Sequence, residues 1–355
     1  MNSFGNHLRL TTFGESHGPA MGGVIDGFPA GMRVDFDNVL RELASRRPGS
    51  SPLVTGRNEP DTPEFLSGIS PEGITLGTPI GFIVRNRDAR SADYRSSESY
   101  YRPNHADYTY MVKYGLRDAR GGGRSSARET VSRVVAGALA LQWLAERGVC
   151  VSAALTRVGD VDASSAVDEI LRAPGSRATL EVPQALRKAM EERVAEARAA
   201  GDSVGGRVSC LVTGVPPGIG APVGDKLQAR LAQAMLSINA AKGFEYGIGF
   251  NAAGAYGSES ADLFLPPELK DGPLRTSTDF SGGIQGGISN GMPVVFSVAF
   301  KPTPTIMRPQ PTVDTEERQC LTQPRGRHDP CVALRAVPVV KAMAALTIAD
   351  LMLGD

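Results

Sequence analysis

The sequence predicts an α+β fold built on antiparallel sheets, and three observations point there. Strand-like runs do not alternate regularly with helical ones, which disfavours a doubly wound parallel sheet. Most of those runs carry Gly or Pro at or near one end, as short strands joined by turns do. One strand-turn-helix unit occurs twice: Gly23-Val-Ile-Asp-Gly-Phe-Pro-Ala-Gly-Met32 aligns with Cys210-Leu-Val-Thr-Gly-Val-Pro-Pro-Gly-Ile219 at a constant offset of 187. The copies run over about 10–50 and 197–243. They imply two similar halves related by a pseudo-twofold inside one domain spanning 1–355. Upstream, Glu15-Ser-His-Gly18 aligns with Asp202-Ser-Val-Gly205, and only the first copy keeps a histidine.

In chain order, the first expected strand is Met21 to Asp26, followed by a helix over Asp37 to Ser45, where Val39, Leu40 and Leu43 fall at helical spacing. Ile74 to Arg85 reads as a strand. Ser126 to Glu146 reads as a buried helix, apolar on more than one face, opened by a Ser126-x-x-Glu129 capping box. A strand over Val151 to Val158 and a helix from Pro183 to Ala200, stopped by Gly201, come next. The strand Gly206 to Val212, the helix Asp225 to Ala241, the strands Asp262 to Leu265 and Pro293 to Phe300, and an apolar helix Val339 to Leu353 complete the pattern.

Composition narrows the function classes. The chain has 355 residues, which fits two domains or one large one at roughly 150 residues per domain. Lys+Arg and Asp+Glu are both 38, so no basic footprint marks a nucleic-acid binder. The four cysteines lack C-x-x-C spacing and make no disulfide framework, so a reduced, cytoplasmic compartment is expected. The longest apolar run, Val134 to Leu144, is far short of the roughly 20 residues of a membrane span. Of the basic residues, 31 are Arg and seven are Lys. The planar guanidinium fork suits carboxylate and phosphate.

The chemistry-bearing residues cluster. Three of the four histidines, His17, His105 and His328, lie in polar segments rich in Gly or Arg. None has His-x-His or His-x-x-x-His spacing and no cysteine pair completes a tetrahedral set, so no metal is expected. Six arginines fall between Arg102 and Arg133, and three glycines run almost directly into the expected helix start at Ser126, an arrangement suited to an anion. It is neither a Walker loop nor a dinucleotide fingerprint. Arg46-Arg-Pro-Gly49 suits a polyanion, and Lys301 heads a stiff Pro/Thr loop. Ser237 to Glu245 and the paired glycines of Ser281 to Ser289 look like ligand walls.

Together, Gly14-Glu-Ser-His-Gly18, Arg46-Arg-Pro-Gly49, Arg102-Pro-Asn-His-Ala-Asp-Tyr-Thr-Tyr110, Gly121-Gly-Gly-Arg-Ser-Ser-Ala-Arg-Glu-Thr130, Lys301-Pro-Thr-Pro-Thr305 and Gly326-Arg-His-Asp-Pro-Cys331 strongly resemble the chorismate synthase family over nearly the whole chain. The resemblance implies a β-α-β sandwich, with a helical layer between two antiparallel sheets, usually assembled as a homotetramer. It implies a lyase that converts 5-enolpyruvylshikimate 3-phosphate into chorismate and phosphate by anti-1,4-elimination, the last common step of the shikimate pathway. The cofactor would be reduced FMN, with NADPH as an indirect source of reducing equivalents.

By the same resemblance, His17 is the acid for the departing phosphate. His105 serves the N1/O2 side of the flavin, and Asp329 stands beside N5. Ser16, Arg46, Arg102, Ser126, Arg128 and Arg327 match the substrate contacts. Arg124, Ser125, Ser126, Asn239, Ala240, Gly286, Lys301, Pro302, Thr303, Pro304, Thr305 and Arg327 match the FMN contacts. Arg46 is also a candidate NADP contact. Pro52 stands where the family often carries another arginine, and Asn104 where it often carries glycine. Two rival readings share the arginine clusters: another FMN- or phosphate-using lyase or transferase on this scaffold, and a binding protein for a phosphorylated anion. Only the elimination needs His17, His105 and Asp329 together.

Overall fold

Alternation builds the first sheet. In the strand Ile80–Arg85, Ile80, Phe82 and Val84 are buried while the residues between them are not, the period-2 signature of a sheet with one covered face. The computed structural model describes residues 1–47, 61–87, 99–118, 122–174, 179–267, 274–322 and 329–354. Within these, β1 (Ser3–Phe4), β2 (Arg9–Gly14), β3 (Ala20–Asp26), β4 (Pro63–Phe65) and β5 (Ile80–Arg85) form an antiparallel sheet in the order β1-β2-β3-β5-β4.

A second antiparallel sheet has the order β7-β6-β8-β14-β9. Its members are β6 (Cys150–Val158), β7 (Val161–Asp162), β8 (Gly206–Thr213), β9 (Ala241–Tyr246) and β14 (Val294–Phe300). Small ribbons join β10 (Phe264–Leu265) to β11 (Arg275–Thr276), β12 (Ile284–Gln285) to β13 (Ile288–Ser289), and β15 (Pro311–Val313) to β16 (Gln319–Leu321). The expected class, mixed helices and antiparallel sheets, is what these elements form.

The helices are α1 (Phe36–Arg46), α2 (Asp107–Tyr114), α3 (Thr130–Ala145), α4 (Ser165–Arg172), α5 (Gln184–Ala199), α6 (Leu227–Leu236) and α7 (Ala333–Met352). Helices α3 and α7 bury most of their residues on all sides, as the lack of a single apolar stripe foretells. Helix α3 packs on β2, β3 and β5, α7 packs on β6 and β8, and the two pack on each other. A Cβ on Gly137 would collide with Ala342, so glycine lets the two backbones approach. Among the described residues no helix is long and apolar enough to cross a membrane.

Both copies of the repeated unit place their strand at the centre of a sheet, β3 in one and β8 in the other. Gly27 and Gly214 both take left-handed φ, +78° and +79°. In each case a Cβ would strike a backbone carbonyl just before a neighbouring strand, that of His7 or that of Gly148. The upstream parts differ, because Glu15 follows strand β2 whereas Asp202 follows helix α5.

Several expected boundaries move. The capping box at Ser126 is not formed: Ser126 Oγ accepts from the Arg128 amide, and Glu129 pairs with Arg133 instead of reaching back. Short 3₁₀ turns over Gly123–Ser125 and Ala127–Glu129 precede α3. Helix α6 ends at Leu236, not Ala241, because Ala240 turns to φ +67° and the chain enters β9. Helix α7 begins at Ala333 and carries Pro338 inside it, where the sequence had suggested a start after that proline.

Two buried carboxylates shape stability. Asp350 Oδ1 accepts from the amides of Asn6, His7 and Leu8 at 2.7–2.9 Å, while its Oδ2 holds Arg230 at 2.5 Å, tying α7 to the first sheet and to α6. Asp279 is fully buried, and burial pushes its carboxyl up to about 8, with Asp262 adding to the rise against the hydrogen bond from the Gly283 amide. A folded-state value above the unfolded one means that its stabilising contribution is complete below pH ~4 and is lost as pH rises towards 8. Asp279→Asn removes that titration. It is expected to gain about 1–3 kcal/mol relative to the parent between pH 5 and pH 8 in urea unfolding. A difference that does not change with pH would overturn this.

Candidate active site

Three polar segments converge on residues 122–130, the stretch that leads into α3. The first is the loop between β2 and β3. Pairing closes at Gly14 with Met21, which leaves Glu15 to Pro19 as the connection. Asn86, just past β5, braces this loop. Its backbone amide donates to Pro19 O at 3.1 Å, and its Nδ2 donates to Glu15 O at 3.1 Å and to Gly18 O at 2.8 Å. Ser16 is buried and its Oγ lies 3.1 Å from His17 Nδ1. The Glu15 carboxylate lies against the Gly123 backbone.

The second segment carries His105 into α2. Asn104 has φ +57°, a conformation that Asn reaches more readily than most residues bearing a side chain, which accounts for Asn at a position where the family often has glycine. His105 Nδ1 is 3.0 Å from Asp107 Oδ1. Asp107 also receives Arg102 Nη2 at 2.7 Å, Arg102 Nε at 2.8 Å and Arg117 Nη1 at 2.9 Å. Burial pushes the Asp107 carboxyl up, but the hydrogen bonds from Arg102 and His105 outweigh it and hold the group well below the usual carboxylate range. A Cβ on Gly122 would sit 2.8 Å from His105 Cε1, so the glycine makes room for the ring.

The third segment follows β14. The Lys301 amide donates to Ala240 O at 3.0 Å, and Lys301 Nζ donates to the carbonyl of Asn104. Ser203 Oγ donates to Thr303 O at 2.8 Å, and Asn239 Nδ2 donates to Ser125 O at 3.0 Å. Arg124 reaches back to the first sheet, donating to Thr12 Oγ1 at 2.6 Å.

A buried arginine pair lies beneath. Arg46, the last residue of α1, and Arg128 both grip the carboxylate of Asp61, Arg46 at 2.8 Å. All three side chains are at most 3% exposed. Burial pushes the Arg46 guanidinium down to about 10 in spite of Asp61. Arg128 Nε donates to Asn86 Oδ1 at 3.0 Å, which ties the pair to the His17 loop. Arg335, in the first turn of α7, holds Asp329 at 2.7 Å and donates to the Arg46 carbonyl at 3.1 Å.

The sequence expectations meet this geometry unevenly. His17, His105, Arg124, Ser125, Ser126, Arg128, Asn239, Ala240, Lys301 and Thr303 belong to the three converging segments and the stretch they meet. Pro302, Pro304 and Thr305 share the Lys301 loop. Asp329 joins from the other side, through Arg335 and Arg46. Arg46, Arg102 and Arg128 are not free cations awaiting a ligand: each already binds a carboxylate of this chain. Gly286 lies on the β12–β13 turn, and its neighbour Gly287 accepts from the Leu227 amide at the start of α6, the opposite end of that helix from Asn239. Arg327, His328 and Pro52 lie outside the described residues.

The model of the chorismate synthase family matches residues 8–353. The chain belongs to the chorismate synthase family. The chorismate synthase of Phocaeicola vulgatus is 52% identical over 358 residues, covering 100% of this chain and 98% of that one. The chorismate synthase of Christiangramia forsetii is 53% identical over 350 residues, covering 98% and 96%. A crystal structure of chorismate synthase superposes with a TM-score of 0.74 at 30% identity, covering 99% of this chain and 92% of that chain.

The residues present suit the flavin that the chorismate synthase family uses. Asn239 Oδ1 and Thr303 Oγ1 are buried and have no hydrogen-bond partner among the described residues. Arg46 Nε and Arg128 Nη2 are in the same condition. Unmet buried donors and acceptors are costly, and a bound polar group satisfies them. Sequence reasoning missed Asp61, Asn86, Asp107, Arg117 and Arg335. For Asp107 a signal existed: an arginine five residues earlier and a histidine two residues earlier, at the start of a helix.

Proposed function

We propose that this chain is a chorismate synthase that eliminates phosphate from 5-enolpyruvylshikimate 3-phosphate to give chorismate. The observation that carries the reading is the meeting of the His17 loop, the His105 segment and the Lys301 loop on residues 122–130, above two buried arginines. Reduced FMN, when bound, supplies the electron density that the breaking C–O bond needs, and the overall reaction leaves its redox state unchanged.

The residues of this chain do the rest. Ser16 Oγ lies 3.1 Å from His17 Nδ1, and the His17 imidazole is the group that gives a proton to the departing phosphate. Arg46 and Arg128 keep Nε and Nη2 respectively unused by Asp61, and these donors, with Arg102, Ser16 and Ser126, would face the substrate's anionic groups, with Arg327 as a further holder. Asp329, oriented by Arg335, is the acceptor on the side where the ring hydrogen leaves. Arg124, Ser125, Ser126, Asn239, Ala240 and Lys301 to Thr305 would hold the flavin. Arg46 is the candidate for any nicotinamide-nucleotide contact, with NADPH acting only to reduce the flavin. The chain works as one domain of two duplicated halves, with α3 and α7 as the layer between the sheets, and assembles as a cytoplasmic homotetramer.

Anaerobic incubation with reduced FMN and the enolpyruvyl substrate is expected to give chorismate absorbance and an equal amount of phosphate. Folded protein that binds both and turns over neither would reduce it to an anion-binding protein. Lys301→Ala is expected to weaken FMN binding about tenfold, the order of one charge-assisted hydrogen bond. An unchanged dissociation constant in fluorescence titration would remove Lys301 from the flavin site.

A further inference from the structure

Asp107 is a hub. Its two carboxylate oxygens, 3% exposed as a side chain, receive the Arg102 amide at 3.0 Å, Arg102 Nε and Nη2 and Arg117 Nη1, and Oδ1 lies 3.0 Å from His105 Nδ1. No catalytic or binding role has been given to it above. Its contact with His105 bears directly on what that histidine can do.

His105 Nδ1 lies between two unlike neighbours. On one side is Asp107 Oδ1, an acceptor, at 3.0 Å. On the other is Arg102 Nη2, a donor, at 3.1 Å. A bare Nδ1 would accept from Arg102, whereas a protonated Nδ1 would donate to Asp107. Arg102 Nη2 already donates to Asp107 Oδ1 at the shorter distance of 2.7 Å. A bond from N–H to a carboxylate is charge-assisted and stronger than one between neutral groups. With Arg102 and Arg117 both paired to it, Asp107 stays ionised and keeps accepting.

We propose that Asp107 is the positioning residue of His105: it keeps the neutral ring protonated on Nδ1 and so leaves Nε2 as the nitrogen that exchanges protons beside the Gly122 turn. The far side of the ring faces that turn, because a Cβ on Gly122 would lie 2.8 Å from Cε1 and 3.4 Å from Nε2. Gly122 opens the segment that carries Arg124 and Ser125, the residues placed above at the flavin. The charged groups around the ring are Asp107 and Arg102 from its own segment and Lys301 from the loop after β14. Burial lowers the pKa of His105, Asp107 opposes that fall, and Arg102 and Lys301 add to it. The ring is therefore neutral at neutral pH and its tautomer is meaningful. Only the use made of Nε2 rests on the lyase reading; the tautomer does not.

The test is ¹⁵N NMR of histidine-labelled protein, with a His105→Gln sample to assign the His105 signals. The expected result, at a pH where the ring is neutral, is a proton on Nδ1 and a bare Nε2. A bare Nδ1 accepting from Arg102 overturns the proposal, and this measurement needs no change at Asp107. In Asp107→Asn the ring is expected to populate both tautomers and to titrate at lower pH. Turnover should fall about tenfold, with the flavin dissociation constant within about twofold. A lower melting temperature with tautomer and titration unchanged would make Asp107 a structural residue only, and overturns the proposal. Protein that shows the Nδ1–H tautomer but no elimination would leave the positioning intact and remove the lyase reading.

Discussion

His17→Ala lowers turnover by about 10²- to 10⁴-fold, the usual worth of a positioned proton donor, and leaves the flavin dissociation constant within about twofold. The reason lies in the loop between β2 and β3. Its backbone is fixed by Asn86 at Pro19, Glu15 and Gly18, and none of those bonds uses the imidazole. Removing the ring therefore takes away the proton carrier without dismantling the loop. Ser16 Oγ loses the His17 contact at 3.1 Å. Asp329→Ala is expected to match His17→Ala in turnover, because it removes the acceptor; it also takes the ion-pair partner of Arg335 and leaves that side chain its bond to the Arg46 carbonyl. Anaerobic stopped-flow measurement of chorismate formation, beside flavin titration, checks both. Near-normal turnover in the two variants would refute the roles assigned here, and loss of flavin binding in His17→Ala would show that the loop serves the cofactor.

Asp61→Ala is the substitution with the largest expected cost in stability, about 3–5 kcal/mol in urea unfolding at neutral pH. Arg46 and Arg128 both lean on this carboxylate, and the three side chains are at most 3% exposed. The truncation leaves two buried guanidinium groups facing each other with their counter-ion gone. Burial alone would raise the Asp61 carboxyl, yet Arg46 and Arg128 hold it below its ordinary value. A depressed folded-state value means that the contribution is present above the unfolded value and is lost as the pH falls through the folded one. The parent should therefore lose its advantage over Asp61→Ala in acid, while Asp61→Asn, which keeps the shape, should cost less than Asp61→Ala at neutral pH. A loss below about 1 kcal/mol would mean that another group neutralises the arginines.

How far the sequence could be read depended on what kind of signal each feature carries. The strands Ile80–Arg85, Gly206–Thr213 and Val294–Phe300 are apolar runs or alternations, and periodicity alone finds their cores. Strand β2, Arg-Leu-Thr-Thr-Phe-Gly, has no such run and escaped notice. Strand β9 was absorbed into the end of a helix because Asn239-Ala-Ala-Lys242 looks helical, and nothing local announces that Ala240 takes positive φ. Pro338 misplaced the start of α7, since proline more often opens a helix than interrupts one. At the site, histidines are scarce and arginines are clumped, so their clusters stand out. Their partners do not. Asp61 and Asp107 are two of 38 acidic residues, and only folding shows which of these meet two guanidinium groups.

Helix α7 touches α1, α3, α6, β6 and β8, and through Asp350 it also fastens the backbone amides of residues 6–8. Yet it spans Ala333 to Met352 and follows every other element in the order of translation. A nascent chain that has emerged only as far as β16 carries β6, β8, α1, α3 and α6 without the helix that packs on all of them. Such an intermediate leaves apolar side chains uncovered until α7 emerges, so docking of this helix is the step that closes the core.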